Sequence, residues 1–146
     1  MRIWIVNVFF ILLIVGFYVS CKPENKGDNL NAIIDLKTKQ YAIAGRELYL
    51  IHCANCHQVD GSGLGLVIPP LKGADYLKVD IARSVHIIRY GQKGEIIVNG
   101  ATYNQPMPAN PNLKPIEIAQ IATYIHTLWG DGEQLISIDS VNVYLK

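Results

Sequence analysis

Cys53-Ala54-Asn55-Cys56-His57 constrains this chain more than any other feature, because C-x-x-C-H is the attachment sequence of a covalent c-type haem. Two thiols three positions apart near a helix end can bond the two vinyl groups of one porphyrin, and the following imidazole then faces the iron. On this reading Cys53 and Cys56 hold one haem c and His57 is its proximal axial ligand. A C-x-x-C pair also occurs in zinc sites, thioredoxin-like redox centres and structural disulfides. Zinc needs four ligands, and the only other cysteine, Cys21, lies in a different kind of segment. A thioredoxin site expects a strand before the motif, whereas a helical pattern precedes this one and a glycine-rich loop follows it.

The 146 residues allow one domain, and the positive mean hydropathy comes largely from the first segment. Met1-Arg2 is a short basic start, Ile3 to Tyr18 is almost wholly apolar, and Val19-Ser20-Cys21 closes it. That pattern reads as a lipoprotein signal peptide over 1-20, with Cys21 acylated as the first mature residue; Tyr18 stands where such signals prefer Leu. The alternative is an uncleaved membrane anchor. Either reading exports the chain and ties it to the periplasmic side of a bacterial membrane. Without Arg2 the basic and acidic residues balance at 12 each, which excludes a basic nucleic-acid surface and leaves recognition to a local patch. Residues 21-38, mixed in Lys, Glu, Asn, Asp and Gly, read as a solvated tether, followed by a haem domain over 39-132 and an extension over 133-146.

Tyr41 to His52 has helical spacing, with Gly45 in its middle, where glycine costs about 1 kcal/mol relative to alanine unless another backbone approaches. Pro115 to Trp129 is the candidate partner, carrying an apolar stripe of Ile118, Ile121, Ala122, Ile125 and Leu128. Asp80 can cap a middle helix ending at Tyr90 before Gly91. Asn99-Gly100 between Ile96-Ile97-Val98 and Ala101-Thr102-Tyr103 predicts a hairpin. In the extension, Ser137 or Asp139 can cap a short final helix.

Gly45 and Tyr49, eight and four residues before Cys53, together with Ile121 and Tyr124 on the last helix, resemble the crossing helices of class I cytochromes c. The resemblance covers about residues 39 to 132. It implies an all-α class I cytochrome c fold, three to four helices around one covalent haem, with a short β-hairpin before a Met ligand loop. In that family a proline carbonyl accepts the proton on the far nitrogen of the proximal histidine, and Pro69 is the candidate by position; the alternative is that Pro69 and Pro70 only stiffen a turn. Met107, between Pro106 and Pro108, is the candidate distal ligand, and the only other methionine is the initiator; the alternatives are Met107 as core filler and His86 as the rival ligand. His52, His86 and His126 are expected on helix surfaces. Arg89, Tyr76, Tyr103 and Trp129 are candidate neighbours of the haem propionates or edge.

A haem with both axial positions filled exchanges electrons and has no vacant site for substrate, so the expected function is one-electron transfer rather than catalysis. The run Gly91 to Met107 with Trp129-Gly130-Asp131 looks like cytochrome domains found with nitrite reductases, quinoprotein dehydrogenases and terminal oxidases. The expected partners are therefore a dehydrogenase, reductase, oxidase or quinol-oxidising complex. Two alternatives stand beside the mobile shuttle: a haem subunit fixed in an oxidoreductase complex, and a five-coordinate haem sensor or enzyme.

Overall fold

A computed structural model describes residues 29 to 146, so the expected signal peptide, Cys21 and most of the expected tether lie outside the described residues. After a 3-10 turn over Leu30–Ala32, the helices are α1 (Leu36–His52), α2 (Ala54–His57), α3 (Asp75–Val79), α4 (Ile81–Tyr90), α5 (Pro115–Trp129) and α6 (Ile138–Tyr144). Strands β1 (Ile96–Val98) and β2 (Ala101–Tyr103) pair antiparallel between α4 and α5, with Val98 opposite Ala101. The class is the expected one. Helices exceed the expected three to four because the haem motif, the residues before Asp80 and the C-terminal extension each form a short helix of their own.

α1 starts at Leu36, earlier than the tether assigned to 21-38 allows. Two local forces explain the correction: the Asp35 carboxylate accepts from Thr38 N–H at 2.7 Å, and Ile33 and Thr38 are buried. The Glu133 carboxylate accepts from the backbone N–H groups of Ile34 and Asp35, at 3.0 and 2.7 Å, tying the start of α1 to the segment that follows Trp129. The Asp35 carboxyl is held below its usual range, first by the Thr38 backbone N–H and then by the Thr38 hydroxyl.

α1 and α5 cross where Gly45 meets Gln120 and Tyr124. A Cβ on Gly45 would lie 2.0 Å from the Gln120 carbonyl oxygen and 2.9 Å from Tyr124 Cβ, so only glycine lets the backbones approach this closely. Beside the crossing, the rings of Tyr49, Tyr124 and Trp129 pack edge-on or tilted, with centroids 5.2 to 5.5 Å apart. Pro115 opens α5, and the Glu117 carboxylate accepts from Lys114 N–H at 2.7 Å.

The Asp80 side chain caps α4 through Arg83 N–H, and Gly91 ends it at φ 79°. Asn99 and Gly100 form the hairpin turn at φ 51° and 77°. Asp75 and Asn99 exchange two hydrogen bonds, Asp75 N–H to Asn99 Oδ1 at 3.0 Å and Asn99 N–H to Asp75 Oδ1 at 2.8 Å, which lock α3 to the hairpin. The extension packs back on the domain. Ser137 caps α6, Ile136 and Val141 are buried, and Ile136 N–H donates to Thr123 Oγ1 at 3.0 Å.

That packing overturns the expectation for His126. His52 and His86 are exposed as expected, but His126 is buried at 2% exposure, because α5 is covered on several sides rather than along one stripe. Its Nε2 has no hydrogen-bond partner among the described residues. Burial pushes its pKa down to about 4, with Asp131 acting in the opposite direction.

Two outcomes follow from this packing. Gly45→Ala should destabilise the holoprotein by roughly 1–3 kcal/mol in denaturant unfolding, as overpacked sites do; an unchanged midpoint would contradict the crossing described. For His126 the unfolded chain takes up a proton near pH 6.5 and the folded one near 4, so its contribution is full above about pH 6.5 and declines as pH falls toward 4. The stability gap between wild type and His126→Leu should therefore shift against the wild type by about 3 kcal/mol from pH 7 to 4, and a pH-independent gap would refute the buried neutral imidazole.

Candidate haem-binding site

α1 runs directly into the motif: Cys53 N–H donates to Tyr49 O at 2.8 Å, and His57 N–H to Cys53 O at 2.9 Å, so Cys53 and His57 are held one turn apart. Cys53 and His57 are buried and Cys56 is exposed. Burial pushes the Cys53 thiol up to about 12, with the neighbouring Cys56 adding to the effect. A thioether has no proton to lose, so this apolar position suits a sulfur bonded to carbon.

Beyond His57 the chain turns sharply at Gln58, φ 65°, and the Tyr49 hydroxyl donates to the Gln58 carbonyl at 2.6 Å to hold that turn. The loop then folds back through Leu71 N–H to Gly61 O at 2.8 Å, laying Pro69 alongside the histidine. His57 Nδ1 lies 3.2 Å from the Pro69 carbonyl oxygen. A carbonyl can only accept, so Nδ1 carries the proton and Nε2 keeps its lone pair. Burial holds the His57 pKa below its usual value, with the Pro69 bond acting in the opposite direction.

The Met107 loop is fixed from α4. Met107 N–H donates to Gln92 O at 2.9 Å and Gln92 N–H to Met107 O at 3.0 Å, while Asn110 N–H donates to Arg89 O at 3.2 Å and Asn110 Nδ2 to Ile88 O at 3.1 Å. Gly91 makes this seat possible: a Cβ there would come within 2.4 Å of the Met107 carbonyl oxygen, and its φ of 79° also disfavours other residues.

These pieces surround one cavity that opens to solvent. Cys53, Cys56, His57, Pro69 and Met107 all line it. Ile121 and Ile125 of α5, with Leu77, Ile88, Val98 and Tyr103, supply apolar wall. Among the residues lining the cavity His57 is the one imidazole and Met107 the one thioether; His52, His86 and His126 do not line it. Among the described residues no group of three or more His, Cys, Asp or Glu side chains could hold a metal ion. Paired thiols, one lone-pair imidazole, one thioether and largely apolar walls fit a covalent haem.

The four candidate neighbours of the propionates separate. Tyr76 and Tyr103 line the cavity. Arg89 does not: its Nη1 donates to Leu113 O at 2.6 Å. Trp129 is buried against Tyr49 and Tyr124, away from the wall. Gln92 lines the cavity and pairs with Met107, a role signalled in the sequence only by its place directly after the helix-stopping Gly91.

The cytochrome c family model matches residues 42–129. The chain is 37% identical over 95 residues to cytochrome c-552 of Thermus thermophilus, covering 62% of this chain and 72% of the relative. It is 33% identical over 92 residues to the cytochrome c subunit of the quinone alcohol dehydrogenase of Gluconobacter oxydans, covering 61% of this chain and 19% of that subunit. A similar subunit from Komagataeibacter europaeus is 31% identical over 93 residues and is likewise covered over 19% of its length. Fold, cavity and likeness agree: the chain belongs to the cytochrome c family, electron carriers that bind haem c covalently.

Proposed function

We propose that this cytochrome c carries single electrons through a haem ligated by His57 and Met107, attached at Cys53 and Cys56, and held to the periplasmic side of a bacterial membrane by acylated Cys21. The observation that carries the ligand assignment is one cavity lined by a proton-fixed imidazole and a proline-flanked thioether. Haem supplies a reversible one-electron iron couple when bound. Pro69 fixes the tautomer of His57 and strengthens it as a donor; Gln92 and Gly91 hold the Met107 loop; the apolar wall excludes water. Thioether ligation and water exclusion both favour the reduced state and raise the potential.

A dehydrogenase is the proposed electron donor, supported by the likeness to cytochrome subunits of quinone alcohol dehydrogenases. Near-balance of the mature charge suits brief encounters at a local patch rather than long-range steering. No helix among the described residues is long and apolar enough to cross a membrane. The anchor is assigned on Val19-Ser20-Cys21 and the apolar run before it.

Three substitutions test these assignments. Met107→Ala should lower the midpoint potential and let the reduced protein bind carbon monoxide rapidly, whereas wild type binds it slowly; equally fast binding by both would favour a five-coordinate centre. Gly91→Ala should loosen the Met107 loop without touching the sulfur, costing roughly 1–3 kcal/mol of stability and accelerating carbon monoxide binding toward the Met107→Ala rate. Cys21→Ala should release the cytochrome from membranes into the soluble fraction, and full retention would assign the anchor to the apolar segment instead.

A further inference from the structure

We propose that Tyr49 is a positioning residue for the proximal imidazole: its hydroxyl holds Gln58 in a strained turn, and that turn keeps the Pro69 carbonyl on His57 Nδ1. The proposal deepens the reading of His57 as the haem ligand and rests on it.

Gln58 directly follows His57, and its φ of 65° with ψ of 159° lies in a region that glycine alone enters freely. A side-chain-bearing residue stays in such a conformation only where its neighbours over-determine it. Here two donors converge on one oxygen: the Gln58 carbonyl accepts from the Tyr49 hydroxyl at 2.6 Å and from Gly61 N–H at 3.2 Å. Trp129 presses on the same turn, since a Cβ on Gly61 would lie 2.9 Å from its ring. Tyr49 is itself held fast, fully buried with its ring against Tyr124 and Trp129.

The turn reaches the imidazole through a short relay of backbone bonds. Gly63 N–H donates to His57 O at 3.0 Å, while the Gly61 carbonyl accepts from Leu71 N–H at 2.8 Å and Lys72 N–H at 3.0 Å. Gly63 also lies against the next stretch of loop, where an added Cβ would come within 2.4 Å of the Ile68 carbonyl oxygen. Pro69 thus hangs from the turn, and its 3.2 Å contact with Nδ1 depends on Gln58 keeping its place. Without the hydroxyl, the Gln58 backbone relaxes toward negative φ, carries the loop with it and loosens that bond. A hydrogen-bonded imidazole is the stronger donor to ferric iron, so the loss favours the reduced form.

The test is proton NMR of the full oxidised holoprotein, in which ferric iron shifts the ring protons of a ligating His57. In Tyr49→Phe the His57 Nδ1–H should exchange with solvent at least about tenfold faster than in wild type, while the Val85 amide in α4 keeps its rate. The redox equilibrium should move toward the reduced form. Adding Gln58→Gly should reverse both effects, because glycine holds that conformation without strain, whereas lost aromatic packing would not be repaired there. Unchanged exchange in Tyr49→Phe, equal acceleration at Val85, or faster exchange that glycine does not reverse would overturn the proposal. Should Tyr49→Phe fail to mature, Gln58→Val decides: it keeps the hydroxyl but resists positive φ, so Nδ1–H exchange should quicken, and an unchanged rate would overturn the proposal. A His57 ring without iron-induced shifts would instead refute the ligation itself, and the proposal with it.

Discussion

The close approach of α1 and α5 at Gly45 is the constraint on which the rest of the molecule depends. With only a hydrogen at that position, the Gln120 carbonyl can lie where a side chain would otherwise stand. The crossing then sets Tyr49, Tyr124 and Trp129 against one another and turns Ile121 and Ile125 toward the cavity. Tyr49 links this core to the chemistry, because its hydroxyl holds the turn through which the chain leaves His57. A backbone contact between two helices thereby positions the motif that α1 delivers.

The two candidate ligands are held by different means, and the difference has physical consequences. His57 ends the short helix α2, separated from α1 by Cys53 alone, and is oriented by one carbonyl, a short and stiff connection. Met107 sits on a loop whose register is fixed by a two-bond bridge to Gln92 and by Asn110. Fewer buried contacts support such a loop, so it opens at lower free energy than the helical side. An electron carrier benefits from a cavity that changes little between oxidation states, and the bridge to α4 supplies that rigidity where the chain has least regular structure.

Much of this was legible in the residues, because the signals were local and redundant. Asp80 before an apolar stripe and Gly91 after it define α4 by capping, Asn99-Gly100 defines the hairpin, and Pro115 with Glu117 defines the start of α5. The close approach at Gly45 followed from a glycine in mid-helix. What the sequence hid was tertiary. His126 looked like helix surface because a single stripe accounts for one neighbour, whereas α5 has several, including the C-terminal extension that adds Ile136 and Val141. The true start of α1 lay in a polar stretch whose capping carboxylate and buried Ile33 are meaningful only once Glu133 is folded against them. Arg89 and Trp129 were reasonable by residue type, but one is satisfied by a carbonyl and the other by aromatic packing.

The central claim is that the cavity is closed by an imidazole and a thioether acting from its walls. The absorption spectrum of the oxidised holoprotein in the far red tests it most directly. A sulfur-to-iron charge-transfer band that is present in wild type and lost in Met107→Ala is the predicted result. Absence of the band from correctly matured wild-type protein, or its persistence in Met107→Ala, would contradict the account.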